Sequence, residues 1–206
     1  MPLDSVEIRG HDLNRPDTAL RLARAESLAE QLAGRPLVLV GMMGAGKTTV
    51  GRRLAARLNR LFLDSDEEIE KAAQMTIPEI FEKRGEPEFR AGETRVIARV
   101  LKENNVVLAT GGGAFVNVDT RALMKAEAIT VWLKAEVDIL FERVSRRSNR
   151  PLLKTANPRA TLEKLIEERY PIYAEADVTV LSRDVPQEVV AADIVDAVLA
   201  YLQQQD

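Results

Sequence analysis

The stretch Gly41-Met-Met-Gly-Ala-Gly-Lys-Thr48 limits what this chain can be more than any other part of it. It satisfies G-x-x-x-x-G-K-[ST], the pattern of a loop that cradles phosphate with its backbone N–H groups. Before it, Pro36-Leu-Val-Leu-Val-Gly41 is an apolar run without alternation, which suits a strand buried on both faces. After it, Val50, Leu54 and Leu58 share one helical face, while Arg52, Arg53, Arg57 and Arg60 lie elsewhere. Strand, loop and helix in that order aim the positive end of the helix at a bound anion. The segment Met43, Gly44, Ala45, Gly46, Lys47, Thr48 and Thr49 is therefore expected to hold nucleotide phosphates. Lys47 is expected to reach the terminal phosphates, and the Thr48 hydroxyl to ligate Mg²⁺.

Composition removes other classes. The chain has 206 residues, enough for one domain with its own core. It has no cysteine, which excludes thiol chemistry and cysteine metal sites. A net charge of −3 gives no basic footprint for nucleic acid, so no nucleic-acid partner is expected. Arginine outnumbers lysine by 21 to 8, and its planar fork suits phosphate and carboxylate. The lone His11 reads as a surface residue. No apolar run approaches the roughly 20 residues of a membrane span, and the first residues lack the marks of a signal peptide. No membrane partner and a cytoplasmic location are expected.

Residues 1–34 read as an N-terminal helical extension, starting near Asn14, Pro16 and Asp17 and carrying Leu20, Leu28 and Leu32 at helical spacing. The helix should span two to four turns and end at Gly34. From residue 35 onward strands and helices alternate. Strands are predicted at Leu61–Leu63, Val106–Thr110, Ala128–Leu133 and Val178–Leu181. Residues 66–103 read as mostly helical, with breaks near Met75–Pro78 and Gly85–Pro87. Further helices are predicted from Glu136 to Ser145, before Tyr170, and from about Gln187. Residues 146–159 read as a polar, basic loop. Alternation with apolar strands predicts an α/β fold around a parallel sheet.

The third strand ends in Thr-Gly-Gly-Gly, not in an acid. The acid stands instead at the end of the second strand, in Leu61-Phe-Leu-Asp-Ser-Asp66. Parallel-sheet sites open at the carboxyl ends of strands, which puts Asp64 and Asp66 near the phosphate loop. Two residues apart, they do not both point one way while strand geometry lasts. One is expected to face the metal and the other the acceptor, where an aspartate can orient or deprotonate a hydroxyl. The competing role is a helix cap.

These motifs together resemble shikimate kinase, a family of small P-loop enzymes of aromatic amino-acid biosynthesis. The resemblance rests on the phosphate loop, Leu63-Asp-Ser-Asp66, Gly85-Glu-Pro-Glu-Phe-Arg90 with Glu93, Thr110-Gly-Gly-Gly113, Arg150-Pro-Leu-Leu153 and Glu168-Arg-Tyr-Pro-Ile-Tyr173. It covers about residues 36–200 and implies a five-stranded parallel sheet in the order 2-3-1-4-5, of nucleoside-monophosphate-kinase type with a lid. It implies that ATP with Mg²⁺ phosphorylates the 3-hydroxyl of shikimate. Shikimate would be held by Asp66, Arg90, Arg169 and the backbone of Gly111, Gly112 and Gly113. Asp64 would join Thr48 at the metal. Asp66, Lys47 and Arg150 would carry catalysis, with Arg150 on a lid at about 146–160 and Arg143 stacked on adenine. The substrate-binding helical region would span about 66–95 within a kinase domain of 35–206. The family is mostly monomeric, so a monomer is expected. Chemistry agrees: arginine forks suit a carboxylate, and Phe81 and Phe89 offer an apolar wall. Arg90 has a second reading, as a surface salt bridge with Glu86 or Glu93, and Arg146 and Arg147 read as solvated charges. Leu181-Ser-Arg-Asp-Val-Pro186 departs from the Arg-Asn-Pro more usual in the family, so no adenine contact is assigned there.

Two other readings remain at this stage. One is a kinase for gluconate or a nucleotide. The other is a sensor module that binds ligand without turnover.

Overall fold

The computed structural model describes residues 16–146 and 157–205. Eight helices and five strands run through them: α1 (Pro16–Gln31), β1 (Leu37–Val40), α2 (Lys47–Arg57), β2 (Leu61–Asp64), α3 (Ser65–Ala73), α4 (Ile77–Val100), β3 (Val106–Ala109), α5 (Val118–Glu127), β4 (Ile129–Lys134), α6 (Val137–Ser145), α7 (Pro158–Tyr173), β5 (Val178–Leu181) and α8 (Gln187–Leu202). The strands form one parallel sheet in the order β2-β3-β1-β4-β5. This is the order that the family resemblance implied.

The burial of each strand follows its place in the sheet. The central β1 and β3 are buried at every position. The edge strands β2 and β5 leave residues exposed, Leu61 and Leu181 among them. A strand covered by helices on both faces needs no polar face, which is why β1 reads Leu-Val-Leu-Val.

This order also brings the motifs together. β3 lies between β2 and β1, with Asp64 in register with Ala109 and Leu39 with Ala109 on the other side. The segments leaving β1, β2 and β3 therefore meet at one carboxyl edge. They are the phosphate loop, the aspartate pair and the triple glycine.

Helix boundaries have local causes. α4 begins with a capping box, in which Thr76 caps Glu79 and the Glu79 carboxylate bonds back to the Thr76 N–H at 2.8 Å. It is broken at Gly85, whose φ of 80° and ψ of 172° are not helical, just before Pro87. Both predicted breaks in the 66–103 region are thus present.

Four expectations need correction or extension. Leu20 is 59% exposed, so the buried face of α1 is Ala25 and Leu28, with Leu32 buried just past its end, and α1 packs toward α8. α7 continues past Tyr170 to Tyr173, carrying Pro171 within it. Arg60, placed off the apolar helical face in the sequence, is nevertheless not at the surface. It is buried where α2 turns into β2, with one guanidinium N–H donating to the Arg35 carbonyl at 2.6 Å and burial lowering its pKa. The region between Gly113 and Ala128, to which no element is assigned from sequence, holds α5. Its start is legible in hindsight, because the Asn117 side chain accepts from the Thr120 N–H at 2.9 Å, a cap of ordinary type.

Candidate active site

The phosphate loop joins β1 to α2. Gly46 caps α2 with a φ of 91°, a left-handed conformation that a side chain would strain. Packing fixes the loop from behind, since the Ser182 hydroxyl after β5 donates to the Ala45 carbonyl at 2.8 Å. Lys47 is only 8% exposed, and its ammonium donates to the carbonyls of Gly41 and Met42, each at 2.8 Å. It is held folded over the loop by weak backbone acceptors that a phosphate can replace. Thr49 donates to the Gly46 carbonyl at 3.1 Å.

Asp64 and Asp66 divide their work differently from the simple expectation. The cap of α3 is Asp64, whose Oδ1 accepts from the Asp66 N–H at 3.0 Å. Its Oδ2 accepts the Thr48 hydroxyl at 2.9 Å. Asp66 sits in the first turn of α3 and faces the triple glycine, where a Cβ on Gly111 would lie 2.7 Å from its Oδ1.

A cleft of about 470 Å³ unites these parts. Lys47, Thr48, Asp64, Asp66, Gly111 and Gly112 all line it. Arg143 lines it too, pinned by hydrogen bonds to Ser182 Oγ at 3.0 Å and to the Arg183 carbonyl at 2.7 Å. Arg146 reaches the same cleft but is exposed and paired with Glu142. Gln187 also lines the cleft, beside Thr49, and sequence reasoning assigned it nothing. Arg150 and most of the predicted lid lie outside the described residues.

Arg90 and Arg169 stand on the far side of the glycines. A Cβ on Gly113 would meet the Arg90 guanidinium at 2.6 Å. Arg169 donates to the Gly112 carbonyl at 3.4 Å. Gly112 itself is not the crowded position, because a Cβ there would meet only ordinary contacts from 3.6 Å outward. Its carbonyl matters instead, taking a second hydrogen bond from the Tyr173 hydroxyl. Tyr173 is fully buried, and burial pushes its pKa up to about 12, so it stays a donor. Below, the Ser65 hydroxyl accepts from the Gly111 N–H at 2.9 Å. The three glycines are thus tied down from both ends.

Arg90 makes the salt bridges of its second reading and also lies beside the glycines. It donates to Glu93 at 2.7 Å and to Glu86 at 3.3 Å, while its guanidinium stays beside the glycines. Burial disfavours the Arg90 charge, but the two glutamates outweigh it and raise its pKa. Glu93 is 1% exposed, and its Oε1 has no hydrogen-bond partner. Burial pushes its carboxyl above the usual range, with Arg90 opposing and Asp66 adding to the effect. The Phe81 and Phe89 rings lie tilted against each other with centroids 4.5 Å apart, and Arg90 lies over the Phe89 ring at 5.0 Å. From sequence, Glu93 is only a salt-bridge partner for Arg90 at the surface, and Tyr173 has no role. Glu93 had one signal, its i,i+3 spacing from Arg90.

The donor set fits Mg²⁺. Among the described residues no group of three or more acidic or histidine side chains gathers as a metal cage. Thr48 and Asp64 instead offer a hydroxyl and a carboxylate, hard oxygens beside a phosphate loop. Mg²⁺ is commonly held by one or two such ligands together with substrate phosphates.

A phosphate loop at the carboxyl edge of a parallel sheet, with aspartates and arginines gathered across the same edge, defines a P-loop phosphotransferase for a small acceptor. The sequence model of the shikimate kinase family matches residues 43–199. A shikimate kinase from Rhodopseudomonas palustris is 56% identical over 182 residues, covering 88% of this chain and 90% of that one. Shikimate kinase from Acinetobacter baumannii in complex with shikimate superposes with a TM-score of 0.78 at 42% identity, covering 84% and 97% of the two chains. A gluconokinase from Sinorhizobium meliloti, at 16% identity and a TM-score of 0.54, shares the fold alone. The chain belongs to the shikimate kinase family.

Proposed function

We propose that this chain transfers the terminal phosphoryl group of ATP to the 3-hydroxyl of shikimate, giving shikimate 3-phosphate and ADP. The observation that carries this reading is the gathering of Asp66, Arg90 and Arg169 around Gly111–Gly113, next to the cleft of Lys47 and Thr48. Arg90 and Arg169 offer the forks that a carboxylate needs. Asp66 offers the acceptor that a hydroxyl needs.

Each residue then has a defined task. Asp66 orients the acceptor hydroxyl and takes its proton as the oxygen attacks the terminal phosphorus. The bond to the β-phosphate oxygen breaks, and ADP leaves. Lys47 gives up its two backbone acceptors for phosphate oxygens. Thr48 and Asp64 would hold Mg²⁺, which would neutralise charge on the phosphates when bound. Arg143 borders the base side of the cleft. Arg150, outside the described residues, would add its cation to the charge that develops on the migrating phosphoryl group. We read the working unit as a monomer, as the family resemblance implies. Dependence on ATP supports work in the cytoplasm. We read residues 1–34 as an extension outside a kinase domain of 35–206.

The test is ADP release from MgATP with shikimate, gluconate, nucleoside monophosphates or no acceptor. Stimulation by shikimate alone is the expected result. Stimulation by gluconate instead would return the reading to the rival kinase. A folded chain that binds ADP and releases none with any acceptor would favour the sensor.

A further inference from the structure

The other face of α4 borders a cavity of about 350 Å³ that the reaction leaves unused. It lies between α3 and α4. Glu88, Gly92, Arg95 and Arg99 run along α4 at spacings of three and four residues, Arg84 stands just before the Gly85 break, and together they form its rim. The floor is apolar, with Ile69 from α3 and Phe89 and Val96 from α4 all buried. The rim carries three arginines against one carboxylate, Glu88. Arg99 is engaged by Glu68 at 2.8 Å. Arg84 and Arg95 have no hydrogen bond or ion pair among the described residues.

Gly92 supplies a second observation. Glycine inside a helix costs roughly 0.5–1 kcal/mol relative to alanine. At Gly111 and Gly113 crowding by Asp66 and Arg90 explains the choice. At Gly92 a Cβ would meet only Arg95 Nη2, at 4.0 Å. No packed neighbour requires glycine there. Apart from that guanidinium a Cβ there would point into open space, and Gly92 lines the cavity.

We infer that this cavity is a second anion site, for a small molecule that joins one carboxylate or phosphate to an apolar, ring-sized body. Ligand cavities begin at roughly 300 Å³, so the volume admits a single ring and little more. The ring would lie on Phe89 and Val96, and the anion would meet Arg84 and Arg95. Phe89 also lies under Arg90, with centroid and guanidinium 5.0 Å apart. Occupancy of the cavity therefore bears on the acceptor pocket through one shared side chain. This coupling rests on the proposed shikimate reaction, but the binding does not.

The experiment uses the full chain, labelled with ¹⁵N and saturated with shikimate and ADP to occupy the main cleft. Benzoate, phenyl phosphate and inorganic phosphate are titrated separately. Saturable shifts at the Gly92 and Val96 amides are expected with benzoate or phenyl phosphate, and the tighter of the two identifies the head group. Arg84→Gln with Arg95→Gln is expected to weaken that binding about tenfold, equal to roughly 1.4 kcal/mol. Gly92→Met, which fills the cavity and keeps a good helix former, is expected to abolish it while turnover persists. The shikimate KM is expected to change at saturating probe in the wild type and not in the double variant. No saturable shift overturns the site. So does a shift that survives both variants, or an equal response to inorganic phosphate. Binding with an unchanged KM overturns the coupling through Phe89. Loss of shikimate turnover in the unmodified chain would instead overturn the proposed reaction and leave the binding result standing.

Discussion

Asp64 accepts the Thr48 hydroxyl with one carboxylate oxygen at 2.9 Å and caps α3 with the other at 3.0 Å. A single side chain thus ties the Thr48 hydroxyl of α2 to the turn that presents Asp66. Asparagine caps helices as well as aspartate does, but carries no charge. Asp64→Asn is therefore expected to melt close to wild type while its Mg²⁺ requirement rises and its turnover falls. Asp64→Ala should lose the cap as well, at a cost of about 1 kcal/mol. Thermal melts beside Mg²⁺ titrations separate the two contributions. Equal stability loss in both variants would mean that charge, not capping geometry, is what α3 needs from Asp64.

Asp66→Asn tests the acceptor side. The amide still fits beside Gly111 but takes no proton. A positioned base contributes roughly 10²–10⁴ in rate, so kcat is expected to fall by at least about 10² with a smaller change in shikimate KM. Steady-state kinetics with shikimate and MgATP check this. Retention of most wild-type turnover would remove Asp66 from the chemistry.

The fold was legible because the strands announce themselves. Leu37–Val40 and Val106–Ala109 are apolar throughout and buried throughout, as the middle strands of a covered parallel sheet must be. The phosphate loop was legible because its geometry depends on glycines at fixed spacing. Strand order was not readable from periodicity and came through the resemblance. Two kinds of feature stayed hidden. α5 offered only ten residues and a weak apolar face, Leu123 and Met124, so its period did not stand out. Arg60 reads as surface in any amphipathic count, because nothing in its sequence neighbourhood shows the Arg35 carbonyl that comes to meet it. The supports of the site were hidden for the same reason. Tyr173 and Ser65 act on the glycine backbone across 61 and 46 residues of chain, and such contacts exist only once the sheet is built.

Gly113→Ala tests how the glycines and Arg90 fit. The added Cβ would meet the Arg90 guanidinium between 2.6 and 2.9 Å. That group is the end of a flexible side chain and can move aside, so the fold should survive with a small change in melting temperature. A displaced Arg90 would then miss the acceptor carboxylate that we propose it holds. The shikimate KM is expected to rise while ADP affinity stays near wild type. A raised Kd for ADP, with the shikimate KM unmoved, would place Arg90 outside acceptor binding.

Glu93 gives the pH prediction. Burial raises its pKa above the ordinary glutamate range, and neither hydrogen bond nor charge from Arg90 fully offsets that. The folded chain therefore binds this proton more tightly than the unfolded chain does. The resulting stabilisation is complete below the unfolded pKa and is lost as pH rises through the folded one. Glu93→Gln has no proton to lose there. The stability of wild type minus that of Glu93→Gln should therefore fall as pH rises from the ordinary glutamate pKa upward. Urea midpoints for both proteins across that range measure the difference. A difference that instead grows in favour of wild type would mean the Arg90 pairing outweighs burial, and Glu93 would then be a stabilising partner for Arg90 and not a buried charge that the fold tolerates to hold Arg90 in place.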